Sequence, residues 1–217
     1  MTALVKNITY QDTDTSAPTT GARTIRFTLT DGDGGTSAAV TKPINVTSVD
    51  DAPVVTGFHD SVAYFIQGTP VILDFDATIS DVDSTNFETG NLSVKLTTNV
   101  QTTDRLSVAS VGNDPGQIRT AVNPVSSSVM DVFYEGVLIG SYPVASTTTL
   151  TVALNANSSS AAVGALLRRV TFHSTSATPS NAVRTVQVTV NDGDGKSSLV
   201  ATKTISINAQ VTPTGVW

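Results

Sequence analysis

The residues in this chain best able to do chemistry are aspartates set in close pairs. Asp12 and Asp14 lie in QDTDTSAP, Asp50 and Asp51 in SVDDAP, Asp81 and Asp83 in ISDVDS, and Asp192 and Asp194 in NDGDGK. Carboxylates this close repel. Several such pairs meeting at one place would repel by several kcal/mol in total, even at an effective dielectric of about 20. A hard divalent cation removes the conflict. Calcium takes about six to eight oxygen ligands in flexible geometry, whereas magnesium demands a stricter octahedron. Zinc favours His and Cys, and this chain offers no cysteine and only His59 and His173. Calcium is therefore the expected cofactor.

The same residues have a metal-free reading. Asp-Gly sequences such as DGDGG and NDGDGK are good hairpin turns by themselves, and VDDAP also reads as a polar linker. What the chain lacks is a catalytic constellation: it has no G-x-S-x-G, no H-E-x-x-H and no phosphate-cradling glycine loop. No enzymatic activity is expected.

Strands must position these pairs. TPVILDF predicts Val71, Leu73 and Phe75 on one face, NLSVKLT does so with Leu92, Val94 and Leu96, and TLTVALN with Leu150, Val152 and Leu154. RTVQVTV adds Val186, Val188 and Val190, with threonines at outward positions. One short helix is predicted in SSSAAVGALLRR, with a serine N-cap and Val163, Leu166 and Leu167 on one face. Short strands, frequent turns and a small helix predict an all-β fold, an antiparallel immunoglobulin-like sandwich. Successive loops then alternate between the two ends, so ISDVDS and NDGDGK fall where the SVDDAP linker enters. The stretch GNDPGQIRTAVNPVSSSVMDVFYEGVLIGSYP reads as irregular and aromatic-bearing, which leaves open a glycan- or protein-binding role.

An internal repeat organises the chain. Arg23, Asp31, Asp33, Ser37 and Ile44 match Arg184, Asp192, Asp194, Ser198 and Ile205, all 161 residues apart. Tyr10 matches Phe172 at 162, so one residue differs in the intervening loop. Residues 51–217 then form one complete repeat and residues 1–50 the last third of a preceding one, with Met1 inside that copy's helix. A fragment of a longer tandem array is expected. At the far end, Ser174 and Ser176 stand where Asp12 and Asp14 stood, and Val211 and Thr212 where Asp50 and Asp51 stood. Both acidic pairs are replaced together, as shared ligation at a junction predicts and a merely solvated surface does not.

Composition narrows the partners. Net charge is −6, with 12 Lys+Arg against 18 Asp+Glu, so a nucleic-acid partner is not expected. No apolar run approaches the roughly 18 residues of a membrane helix, so membrane insertion is not expected either. MTALVKNITY lacks a signal-peptide apolar core. An acidic β-protein without cysteine suits a bacterial surface or secreted setting, with any export signal outside this sequence.

The segments DATISDVDSTNFETGNLSVKL, INVTSVDDAPVV and VTVNDGDGKSS resemble the cadherin-like repeats of large bacterial surface and adhesin proteins. The resemblance implies a calcium-bound linker that stiffens a rod of successive domains, with neighbouring repeats as partners and an extracellular location. It implies Asp50, Asp51, Asp81, Asp83 and one or both of Asp192 and Asp194 as ligands. Asp12 and Asp14 replace the glutamate-bearing motif of animal cadherins, and Asp50 stands where Asn is usual. A ligand-binding module and an accessory domain of a secreted enzyme are the alternative readings.

Overall fold

The computed structural model describes residues 2–14, 17–145 and 148–209. By contacts the chain divides into two compact units, Met1–Asp50 and Asp51–Trp217.

The first unit contains a short helix, α1 (Thr2–Lys6), and two strands, β1 (Gly21–Phe27) and β2 (Val40–Val46). The strands pair antiparallel from Gly21 opposite Val46 to Phe27 opposite Val40.

The second unit is β-rich. Its first strands are β3 (Val54–Thr56), β4 (Ser61–Phe65), β5 (Val71–Ile72), β6 (Thr78–Ser80), β7 (Asn91–Thr98) and β8 (Asp104–Val108). Next come β9 (Ile118–Val122), β10 (Val129–Tyr134), β11 (Val137–Pro143) and β12 (Thr149–Leu154). After α2 (Ser160–Leu167) follow β13 (Val170–Ser174), β14 (Arg184–Asn191) and β15 (Ala201–Asn208). Eight strands form one sheet in the order β4-β15-β14-β7-β12-β11-β10-β9. A three-stranded sheet runs β5-β13-β8, and β3 pairs with β6. Among the described residues all pairings are antiparallel except β4 with β15, so the large sheet is mixed rather than purely antiparallel as expected.

Period-two alternation builds the core as expected on three central strands. Leu92, Val94 and Leu96 of β7, Leu150 and Val152 of β12, and Val186, Val188 and Val190 of β14 are all buried. Threonine, serine and lysine fill the intervening places, where a side chain on the opposite face of the pleat meets water. In α2 the Ser159 hydroxyl caps the helix by accepting from the Ala162 N–H, and Val163, Leu166 and Leu167 are fully buried.

Three expectations are corrected. TPVILDF is not a full alternating strand: only Val71 and Ile72 pair, Leu73 and Asp74 are both buried, and Phe75 is 73% exposed. The reason is Lys203 of β15, which donates to the Leu73 carbonyl at 2.9 Å and pairs with the Asp74 carboxylate, drawing that side chain inward. Burial pushes the Asp74 carboxyl up, but Lys203 and the N–H groups of Ala77 and Asp76 outweigh it, so it lies below its ordinary value. The stretch expected to be irregular is a β meander, β9-β10-β11, with one register shift between Val132 and Phe133. Its tight turn has Glu135 and Gly136 both at positive φ, 52° and 82°, the conformation that matches the twist of a two-residue hairpin. The described residues hold two short helices rather than one, α1 lying in the first unit where the repeat alignment puts a helix.

The repeat is visible in bonding as well as in sequence. Ser37 N–H donates to the Leu29 carbonyl at 2.8 Å, and the Leu29 N–H donates to the Ser37 hydroxyl at 2.9 Å. Ser198 and Val190 repeat both bonds, at 2.8 and 3.0 Å. Arg23 donates to the carbonyls of Thr19 and Gly21, and Arg184 to those of Ser180 and Ala182, four and two residues back in each case.

Candidate functional site

Three aspartates of the second unit share one arrangement. Asp81 follows β6, and its Oδ1 accepts from the N–H groups of Asp83 and Ser84 at 3.2 and 3.1 Å. Asp192 follows β14, and its Oδ1 accepts from Asp194, Gly195 and Lys196 at 2.8, 3.0 and 3.0 Å. Asp83 Oδ2 accepts from the Asp51 N–H at 3.0 Å, which ties the linker residue to this loop. In Asp81 and Asp192 one oxygen is engaged by N–H groups of its own turn, as in an Asx turn, and in Asp83 by the linker N–H of Asp51. The second oxygen is not: Asp81 Oδ2, Asp83 Oδ1 and Asp192 Oδ2 are buried with no hydrogen-bond partner. A buried polar group left unpaired costs about 1–3 kcal/mol, and more when charged.

The two loops carrying these residues are packed together. Thr89 donates its hydroxyl to the Gly193 carbonyl at 3.2 Å. A Cβ on Gly90 would stand 2.2 Å from the Asn191 carbonyl oxygen, so only glycine allows this approach. Asp83 and Asp194 line one polar cavity of about 350 Å³ with Asn86, Glu88 and Thr89. Glu88 was not among the sequence-derived residues. Its position in ETGN, just ahead of β7, is the signal that locates it.

The electrostatics fit a site that favours a cation. Burial pushes the Asp81 carboxyl above its ordinary value of 3.8, the Ser84 N–H opposes this, and the adjacent Asp83 carboxylate reinforces it. Among the described residues no three His, Asp or Glu side chains form a ready-made metal cage. The structure offers instead three buried oxygens without donors, one of them on Asp83, which also lines the cavity with Glu88 and Asp194.

The other sequence-derived ligands are placed as follows. Asp51 is half-buried and opens the second unit, and Asp50 is half-buried and closes the first. Asp194 is exposed. Asp12 and Asp14 belong to the first unit, where the Asp14 N–H donates to Asp12 Oδ1 at 3.1 Å and the Tyr10 hydroxyl to Asp12 Oδ2 at 3.4 Å. At the matching turn of the second unit the Ser176 N–H donates to the Ser174 hydroxyl at 3.3 Å. A hydroxyl therefore serves that turn as well as a carboxylate does. Val211 and Thr212 lie outside the described residues.

Neither histidine joins the acidic loops. His59 pairs with Asp60 at 2.8 Å on the surface. His173 sits on β13, its Nδ1 buried without a partner, and burial with the nearby Arg105 charge lowers its pKa. No described helix is long and apolar enough to cross a membrane. Comparison of the chain with protein-family models and with curated proteins gives no match.

Proposed function

We propose that this chain is part of an extracellular rod of immunoglobulin- or cadherin-like sandwich repeats, stiffened by calcium, with no catalytic role. The observation that supports this reading is the set of three buried aspartate oxygens that no donor meets, on Asp81, Asp83 and Asp192. Backbone N–H groups engage the other oxygen of each side chain, from its own turn in Asp81 and Asp192 and from the linker in Asp83, and leave these three unmet. A bound calcium ion would supply the positive charge that lets these carboxylates stay ionised together.

Asp81, Asp83 and Asp192 would hold the ion, with Asp51, Asp194 and Glu88 available to complete the oxygen set. The Asp51 N–H to Asp83 bond already anchors the linker to this loop, so an ion held there restricts the hinge. Calcium binds the ordered joint better than the loose one and shifts the population toward it. The partners of this activity are neighbouring repeats.

Calorimetric titration of the full chain with calcium, paired with small-angle X-ray scattering in calcium and in chelator, tests the reading. Saturable binding with a narrower distribution of end-to-end distances is expected. No heat of binding and identical scattering would sink it.

A further inference from the structure

Among the described residues, two buried acid–base pairs lie inside the second unit, and they differ in the chemistry open to them. Arg184 and Asp104 are both fully buried and bonded at 3.1 Å. A guanidinium stays charged and is no nucleophile, and Asp104 Oδ1 has no hydrogen-bond partner. That pair can only be ionic. Lys203 and Asp74 join strand β15 to the turn after β5, with the Asp74 side chain fully buried and that of Lys203 10% exposed. Here the base is a primary amine, which becomes a nucleophile once it gives up a proton.

The surroundings of Asp74 set its two oxygens apart. Oδ1 accepts from the N–H groups of Asp76 and Ala77 at 3.0 and 2.8 Å. Oδ2 is in contact with Lys203 Nζ. Nζ also donates to the Leu73 carbonyl at 2.9 Å, which holds the amine beside the carboxyl group. The ring of Phe58, itself 5% exposed, has its centre 5.5 Å from Nζ and screens it from water. Two fixed N–H donors on the oxygen that would gain charge make an oxyanion hole. An amine fixed against the carboxyl group is placed for attack.

We propose that Lys203 and Asp74 condense into an intramolecular amide once the chain has folded. The pair starts ionised, with the Asp74 carboxyl below its ordinary value. Nζ passes one proton to Oδ2, a transfer that removes two charges from a poorly solvated interior. The free amine attacks Cγ, forming the N–C bond, and the negative charge falls on Oδ1, where the Asp76 and Ala77 N–H groups meet it. A second proton moves from nitrogen to Oδ2, the Cγ–Oδ2 bond breaks and one water leaves. The third hydrogen stays on the amide nitrogen. No oxidant, reductant or further reactant enters. The bond closes the chain between Asp74 and Lys203 into a covalent ring. This inference stands apart from calcium binding, since none of its contacts involves the acidic loops.

Intact-mass spectrometry of the folded, full 217-residue chain, repeated after unfolding in guanidinium chloride, tests the proposal. A mass one water below that of the sequence is expected, unchanged by the denaturant because the bond is covalent. Tryptic digestion should yield one branched peptide that joins the segments holding Asp74 and Lys203. Lys203→Arg keeps the positive charge but not the amine, so it preserves an ion pair and should show the full sequence mass, as should Asp74→Ala. Should either variant fail to fold, the mass and the digest of the parent chain still decide. A folded parent chain of full sequence mass overturns the proposal in favour of a plain ion pair. A deficit of one water that Lys203→Arg retains, or that comes without the branched peptide, as a cyclic imide at Asp192–Gly193 would give, overturns it as well.

Discussion

Asp81→Asn should change stability in opposite directions with and without calcium. Asn keeps an oxygen for the N–H groups of Asp83 and Ser84 and replaces the partnerless Oδ2 with an amide able to donate to the neighbouring carboxylate. In chelator, removing one unsatisfied charged oxygen should stabilise by about 1 kcal/mol, or roughly 2–4 °C in Tm for a domain of this size. The pKa direction agrees in sign. A carboxyl held above its ordinary 3.8 contributes stability below that pH, and the contribution is lost as pH rises through the folded-state value. At neutral pH and without an ion, the ionised Asp81 is therefore a liability. Calcium at about 100 times its Kd should raise the melting point of the parent chain by roughly 5–10 °C, from about 2.7 kcal/mol of linkage. In Asp81→Asn that increment should fall by more than half. Differential scanning calorimetry of both proteins in chelator and in millimolar calcium reads all four values. A variant that melts no higher in chelator and keeps the full calcium increment would refute the reasoning.

Three further outcomes follow from the same structure. Arg184→Met leaves Asp104 buried without its cation and should cost about 3–5 kcal/mol, a Tm loss of roughly 10 °C or more; the double change with Asp104→Leu should recover much of it in the same melt. Gly90→Ala pushes a Cβ into the Asn191 carbonyl, so the two acidic loops must part, and calcium affinity measured by calorimetry should fall more than stability does. His173 has a folded-state pKa below its ordinary 6.5, so the folded state resists protonation and stability should decline as pH drops below that value; His173→Gln should flatten that stretch of a urea-midpoint profile.

What could be read from sequence was whatever depends on near neighbours. The alternation of Leu92, Val94 and Leu96 is local, as is the serine cap of α2, and both are seen in the structure. The break in the alternation of TPVILDF was not legible because Lys203, which holds Asp74 inward, is 129 residues away. The role of Arg184 depends on Asp104, 80 residues earlier, and nothing in RTVQVTV marks that arginine as buried. Residues 112–143 read as irregular because their glycines, prolines and asparagines are turn formers, and here they punctuate a meander rather than replace one. For the candidate site, the paired spacing disclosed Asp81, Asp83 and Asp192. Which oxygen of each is engaged by a backbone N–H depends on side-chain torsion, which no sequence pattern encodes.

The single parallel pairing has a consequence for how the second unit bears load. β4 lies near its beginning and β15 near its end, and they run side by side from Ser61 opposite Thr204 to Phe65 opposite Asn208. A pull on the two ends draws these strands along their length in opposite directions. The bonds between them then resist in shear, all at once, instead of unzipping one after another. A fold that places its first and last long strands this way resists tension at the points where tension would enter it.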